Sequence, residues 1–156
     1  MSVCILLVDD FEPWRRFVRS TVQTEPELKL ICEVSDGHAA IQKAKELKPD
    51  LILLDIGLPK LNGIAAAREI RKCAPESKIL FLSQESSADV MREALAVGDG
   101  FLAKTDAYME LLHAIKAIIL DERSAASRLA IRAQTRTGCA SMSRRTMKIS
   151  VGHNRS

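Results

Sequence analysis

Five short apolar segments lie along the first 103 residues, and a stretch with helical periodicity follows each of them. Their sequences are VCILLV (3–8), LKLICEV (28–34), LILL (51–54), KILFL (78–82) and FLA (101–103). The first, third and fourth are almost continuous runs of Ile, Leu and Val, which is typical of strands covered on both faces. Strict alternation of such strands with helices predicts an α/β fold, with a doubly wound parallel sheet, right-handed crossovers and helices on both faces.

Residues that favour the start of a helix stand at the expected places between these segments. Pro13 suits the first turn of the first helix. Asn62 is a predicted N-cap for GIAAAREIRK, and Ser86 or Ser87 is a predicted N-cap for ADVMREALAV. Asp106 is a predicted N-cap for the last helix, AYMELLHAIKAIIL, whose Leu and Ile residues form one apolar stripe. One helix is therefore expected after each strand.

The charge of the chain is unevenly distributed, and this limits what its body binds. Residues 1–122 contain 15 Lys and Arg against 20 Asp and Glu, a net charge of −5, whereas residues 123–156 contain eight basic and no acidic residues. An acidic body argues against DNA binding by the body itself, and an aromatic content of 4% argues against a stacking surface for single strands. Because the sequence shows neither a membrane-spanning stretch nor a secretory signal, a cytoplasmic protein is expected.

Polar side chains follow four of the five predicted strands. Asp9 and Asp10 follow the first strand, Asp55 the third, Ser83 the fourth and Lys104 the fifth. In a parallel sheet the carboxyl ends of the strands meet at one edge, where the functional residues of such folds lie. Each Asp taken alone is better explained as a turn residue. Three carboxylates, a hydroxyl and an ammonium at the same edge predict a functional site.

These residue types favour magnesium and phosphoryl chemistry. Clustered carboxylates repel one another unless a cation joins them. Mg²⁺ is the natural candidate because it binds one or two carboxylates together with phosphate oxygens. An Asp carboxylate can also act as a nucleophile and accept a phosphoryl group. Mg²⁺, a Lys and a Ser hydroxyl would then neutralise the added negative charge.

The pieces LLVDD, LLDIGLPKLNG, FLSQESS and GFLAKTDA, in this order and spacing, resemble the receiver domain of a two-component response regulator over roughly residues 1–122. The resemblance is strongest to receivers that precede a helix-turn-helix DNA-binding domain. It implies a flavodoxin-like fold, with five helices around a five-stranded parallel sheet of order 2-1-3-4-5. It also implies a phosphoprotein that accepts a phosphoryl group from a sensor histidine kinase or a phosphotransfer protein. Such a protein is not an enzyme beyond self-catalysed phosphotransfer and dephosphorylation.

The resemblance assigns roles around a magnesium site. Asp55 is implied to be the phosphoacceptor and also a metal ligand. Asp10 is implied to bind Mg²⁺ directly, Asp9 mainly through water, and the backbone carbonyl of Gly57 completes the ligands from the protein.

The resemblance also implies how the phosphoryl group is sensed. Ser83 and Lys104 would draw toward it, Phe101 would be the aromatic switch, and Gly57 and Glu85 would tune the lifetime of the phosphorylated state. Phe101 is explained equally well as a core strand residue. The change would shift an equilibrium in the face formed by helix 4, strand 5 and helix 5, through which members of this family commonly form homodimers.

Two features depart from the family pattern. In the segment VGDGF, counted from Gly98, three residues precede the aromatic residue instead of the usual four of Gly-Ala-any-Gly, so a tighter loop and altered packing of Phe101 are expected. The 34 residues of the segment 123–156 are also too few for a helix-turn-helix domain. We therefore expect a flexible basic tail, no output domain and no specific binding of nucleic acid.

Three rival functions are compatible with parts of the pattern. A phosphatase of the haloacid dehalogenase type needs a second Asp two residues after its nucleophile, but Gly57 stands there. A flavodoxin needs a phosphate-binding first loop, whereas the acidic segment DDFEP would repel a phosphate. A degenerate receiver that acts as an unphosphorylated protein-binding module stays open as the alternative.

The remaining candidate residues predict no second site. The histidines and cysteines show no metal-ligand spacing. Trp14, beside Arg15 and Arg16, is expected either to mark a partner surface or to be partly buried on the first helix.

Overall fold

The computed structural model describes residues 2–123, in which five strands alternate with five helices. The strands are β1 Val3–Val8, β2 Leu28–Val34, β3 Leu51–Asp55, β4 Lys78–Ser83 and β5 Gly100–Ala103. The helices are α1 Glu12–Gln23, α2 Gly37–Leu47, α3 Gly63–Cys73, α4 Ala88–Leu95 and α5 Lys104–Arg123. The predicted alternation is confirmed. Asp55 and Ser83 are the last residues of their strands rather than the first residues after them.

Within residues 2–123 the strands form one parallel sheet of order β2-β1-β3-β4-β5, as predicted. The chain adds β2 on one side of β1 and the remaining strands on the other side. The strand order therefore reverses between β1 and β3. At such a reversal the loops leave in opposite directions and open a crevice beyond the carboxyl ends of the strands.

Side chains that alternate along the central strands fill two hydrophobic layers, one on each face of the sheet. Ile5, Leu7, Leu53 and Leu80 pack toward α1 and α5, which contribute residues such as Trp14, Val18, Leu111 and Ile115. Leu6, Ile52, Leu54 and Phe81 pack against α2, α3 and α4. Burial on both faces explains why these strands read as continuous apolar runs.

The helix starts follow the predicted signals, with one exception. The side chain of Asn62 accepts from the backbone N–H of Ala65, and that of Ser87 accepts from Val90 N–H. The prediction that Asp106 caps the last helix is wrong, because α5 begins at Lys104 directly after β5 and places Asp106 in its first turn.

The short connection between α4 and β5 is accommodated by close packing. The Asp99 N–H donates to the Ile79 carbonyl at 2.8 Å, and the Asp99 carboxylate accepts from Ile79 N–H at 2.8 Å. Gly98 lies so close to Phe81 that a Cβ atom there would be 2.5 Å from its Cε2. Phe101 is fully buried and stands in register with Phe81, and the prediction that the loop is tighter than in the family stays a prediction.

The predicted basic tail over 123–156 lies outside the described residues, apart from Arg123, where α5 ends. Its predicted flexibility and the predicted lack of an output domain therefore stay predictions. Within residues 2–123, no helix combines the length and the apolar character that a bilayer crossing requires.

Candidate functional site

The five polar residues predicted at the strand ends line one pocket of about 420 Å³ at the carboxyl edge of the sheet. Asp9 and Asp10 come from the end of β1, Asp55 from β3, Ser83 from β4 and Lys104 from the junction of β5 and α5. The predicted convergence of these residues is thus seen in the structure. The rest of the lining is formed by Phe11, Ile56, Gly57, Gln84 and Glu85.

The carboxylates of Asp9, Asp10 and Asp55 form a compact cluster. One oxygen from each lies within 4.8 Å of the others. Asp9 and Asp55 are buried, whereas Asp10 is exposed to solvent. Burial, reinforced by the negative charge of Asp9, raises the pKa of Asp55 from 3.8 to about 6, although Lys104 and a hydrogen bond from the Gly57 backbone oppose this rise. The cluster is therefore a site where a cation would relieve an unfavourable concentration of negative charge.

Lys104 places its ammonium between two of these carboxylates and an aromatic ring. Its Nζ lies 2.6 Å from Asp9 Oδ2 and 3.6 Å from Asp55 Oδ1. The same atom lies 4.9 Å from the centre of the Trp14 ring. The Lys104 side chain is 9% exposed and that of Asp9 is 1% exposed, so this ion pair is shielded from water and from salt.

The other predicted residues fall into two groups. Ser83 is buried, and its Oγ accepts a hydrogen bond from the Glu85 N–H at 3.0 Å, which leaves the hydroxyl hydrogen available for another acceptor. Gly57 and Glu85 are exposed on the pocket wall. Phe101 is buried in the layer beneath the sheet and does not line the pocket.

The loop after Asp55 is held tightly against the end of β3. The Gly63 N–H donates to the Ile56 carbonyl at 2.8 Å, and a Cβ atom at Gly63 would collide with the carbonyl oxygen of Asp55. Lys60 adopts a left-handed backbone conformation with φ of 69°. Such a conformation is uncommon for a residue with a side chain and persists where the surroundings determine it. The contacts of Gly63 thus restrict the backbone of Asp55.

Two residues of α1 belong to the site but were not assigned to it from the sequence. Trp14 is 5% exposed and faces Lys104, so it is more buried than the predicted partial burial. Arg15 donates from Nη1 to the backbone carbonyl of Asp9 at 2.6 Å and thereby ties α1 to the acidic loop. Only the position of both residues in the first turns of the helix after Asp10 could have indicated these contacts.

The donor set suits a hard divalent cation. Three carboxylates with no nitrogen or sulfur ligand among them are the chemistry that Mg²⁺ prefers, and Asp10 on the solvent side leaves room for coordinated water. A ligand that binds beside this cluster would meet the ammonium of Lys104 and the hydroxyl of Ser83 in the same pocket.

Residues 5–116 match the family described as the response regulator receiver domain. The chain is 31% identical over 118 residues to the transcriptional regulatory protein DegU of Brevibacillus brevis, covering 75% of this chain and 50% of that protein. It thus spans about half the length of that curated relative.

Solved structures show the same architecture. A two-component response regulator of the LuxR family from Aurantimonas sp. SI85-9A1 superposes with a TM-score of 0.72 at 28% identity, covering 76% of this chain and 85% of that one. The response regulator domain of Thermotoga maritima CheB superposes with a TM-score of 0.69 at 31% identity, covering 74% of this chain and 95% of that one. The chain belongs to the receiver domain family of two-component response regulators.

Proposed function

We propose that Asp55 is the phosphoacceptor of this receiver and that its phosphorylation requires Mg²⁺. The observation that carries the proposal is the pocket itself, in which Asp55 lies beside Asp9, Asp10 and the buried ammonium of Lys104. The donor would be the phosphohistidine of a sensor histidine kinase or of a phosphotransfer protein. The receiver would extend through α5 to about residue 122.

The proposed reaction is a nucleophilic displacement at phosphorus. A carboxylate oxygen of Asp55 forms a bond to the phosphorus, while the bond from phosphorus to the donor imidazole breaks and its electron pair leaves with the imidazole. The product is an acyl phosphate that carries close to two negative charges. Hydrolysis by water would return Asp55 to a carboxylate and release inorganic phosphate.

Residues of the pocket supply positive charge and donors for this product. Lys104 would exchange its contact with Asp9 for one with the phosphoryl oxygens on Asp55, because its Nζ lies 2.6 Å from Asp9 Oδ2 and 3.6 Å from Asp55 Oδ1. Ser83 would donate its free hydroxyl hydrogen. Mg²⁺, held by Asp9, Asp10, Asp55 and the Gly57 carbonyl, would neutralise charge on the transferring group.

Signal output would follow from movement of Ser83 and Lys104. Ser83 ends β4, which leads toward α4, and Lys104 begins α5 directly after β5, so a shift of either residue bears on the face formed by α4, β5 and α5. We propose that this face is the one that pairs in a homodimer, that Phe101 changes rotamer with it, and that Gly57 and Glu85 set the lifetime of the acyl phosphate. The name of the longer relative DegU describes a transcriptional regulator, and a role in transcription is a further proposal for this chain.

Incubation with acetyl phosphate and Mg²⁺, followed by intact mass spectrometry, tests the acceptor. We expect one added phosphoryl group on the wild-type protein and none on Asp55→Asn. Asp89→Asn is the matched control, because that side chain is 89% exposed on α4 and forms a surface ion pair with Arg92 at 2.9 Å. Equal labelling of Asp55→Asn would refute the acceptor, and no labelling of the wild type would favour an unphosphorylated binding module.

A further inference from the structure

The ammonium of Lys104 is buried and needs favourable contacts to remain charged in the pocket. It has three N–H donors, of which one reaches Asp9 at 2.6 Å. The distance of 3.6 Å to Asp55 is longer than a hydrogen bond. The third contact is the face of the Trp14 indole, whose centre lies 4.9 Å from Nζ. A ring at this distance attracts a cation, and the attraction is strongest when both groups are withdrawn from water, as they are here.

The indole of Trp14 is held in place by its neighbours. Its ring packs against Phe17 with centroids 5.1 Å apart and edge-on against Tyr108 at 5.7 Å. Within residues 2–123, its buried Nε1 has no hydrogen-bond acceptor. Aromatic packing, rather than a hydrogen bond, therefore orients the ring toward Lys104.

The helix that carries Trp14 is also fixed relative to the pocket. Arg15 donates to the carbonyl of Asp9 at 2.6 Å and to Glu33 of β2 at 3.1 Å. One turn later, Arg19 donates twice to the Glu33 carboxylate, at 2.8 and 2.9 Å. These bonds join α1 to both β1 and β2, so the ring occupies a fixed position beside the pocket.

We propose that Trp14 is a positioning residue for Lys104, a proposal that rests on the proposed phosphorylation of Asp55. A carboxylate binds an ammonium through directional hydrogen bonds, whereas a ring face attracts it from a range of directions. The indole therefore stays in contact with the ammonium while the salt-bridge partner of Lys104 changes from Asp9 to the phosphoryl group. Without the ring, Lys104 would lose the contact that it makes both when it is paired with Asp9 and when it is paired with the phosphoryl group.

A graded series of variants tests this role. The rate of labelling by acetyl phosphate should fall about 10-fold in Trp14→Leu and about 3-fold in Trp14→Phe, because Phe is a weaker cation-binding ring. Phe17→Leu is the control, since it removes one aromatic neighbour of the indole but leaves Tyr108 packed against it at 5.7 Å, so a smaller loss than in Trp14→Leu is expected. The affinity for Mg²⁺, measured by calorimetry, should not fall in any of the three variants. An equal loss in Phe17→Leu would show that Trp14 acts only through packing and would overturn the proposal.

A double-mutant cycle gives the readout that a purely structural role would not move. In a Lys104→Met background, Trp14→Leu should have no further effect on the labelling rate, because its target is absent. A further 10-fold loss there, of about the same size as in the wild type, would refute the positioning role.

The same double-mutant cycle, measured on the free energy of unfolding, separates this proposal from the proposed function. Trp14 is the only tryptophan of the chain, so its replacement removes the fluorescence signal. Unfolding in denaturant is therefore followed by circular dichroism. Trp14→Leu and Lys104→Met should be non-additive in the free energy of unfolding, and Trp14→Phe provides a milder variant if Leu does not fold. Failure of the wild type to take up phosphoryl would refute the acceptor assignment alone. Strict additivity in unfolding would refute the contact between Trp14 and Lys104, whatever the labelling shows.

Discussion

The raised pKa of Asp55 predicts that this residue destabilises the metal-free protein at neutral pH. An aspartate with a pKa of 3.8 in the unfolded chain and about 6 in the folded chain binds more protons in the folded state between these two values. Stability therefore falls as the pH rises from about 4 to about 6, and the cost is constant above that range. Replacing Asp55 by Asn removes the charge, so Asp55→Asn should be more stable than the wild type at neutral pH.

The size of this effect follows from the difference between the two pKa values, 3.8 and about 6. That difference corresponds to about 3 kcal/mol at about 1.4 kcal/mol for each pH unit. The pocket is open on the side of Asp10, and solvent there screens the repulsion. Allowing for this screening, we expect about half of the full value, or about 1.5 kcal/mol, to be recovered by Asp55→Asn.

Urea denaturation in the presence of a chelator measures the effect. The stability of Asp55→Asn minus that of the wild type should be about 1 to 1.5 kcal/mol larger at about pH 7 than at about pH 4. Asp89→Asn, which removes an exposed charge, should show no such growth over the same range. Excess Mg²⁺ should abolish the advantage of Asp55→Asn, because the cation binds the folded wild type. A difference that is the same at both pH values would refute the argument.

Two further predictions concern packing and the metal site. Gly98→Ala should cost about 1–3 kcal/mol in urea unfolding, because its Cβ would be 2.5 Å from the fully buried Phe81, whereas Gly57→Ala, where a Cβ meets nothing within 4 Å, should cost less than about 0.5 kcal/mol. Equal costs would contradict this account of the loop. Lys104→Gln should bind Mg²⁺ about 3- to 10-fold more tightly in calorimetry, because Lys104 competes for Asp9 Oδ2 at 2.6 Å and its loss makes the pocket more negative. Weaker binding would show that Lys104 assists rather than competes.

The strands and most helix starts could be predicted because their causes are local in the sequence. Continuous apolar runs mark strands buried on both faces, and Asn62 and Ser87 satisfy N–H groups only three residues away. The start of α5 could not be read in this way. Asp106 has the chemistry of a cap, but the chain passes from Ala103 directly into the helix at Lys104.

The convergence of five polar residues at one edge of the sheet could be predicted, but the contacts between them and the part played by α1 could not. Parallel strands bring Asp9, Asp55 and Lys104 to one edge whatever the details of the fold. The sequence does not show that Lys104 binds Asp9, 95 residues away, more closely than Asp55. Nor does it show the ring of Trp14 beside the ammonium, because that contact depends on how α1 and α5 pack side by side on one face of the sheet.

The two walls of the pocket differ in how closely they are packed, and this bears on the direction of the proposed switch. On the side of Asp55, backbone contacts at Gly63 leave no free space behind the strand end. On the opposite side, the chain from Gln84 to Ser87 is exposed, and within Ala88–Leu95 the one fully buried residue is Ala94. A segment with a single fully buried residue is easier to rearrange than the closely packed end of β3. On the proposed phosphorylation of Asp55, strain at this residue would therefore be relieved on the side of α4 rather than at Gly63.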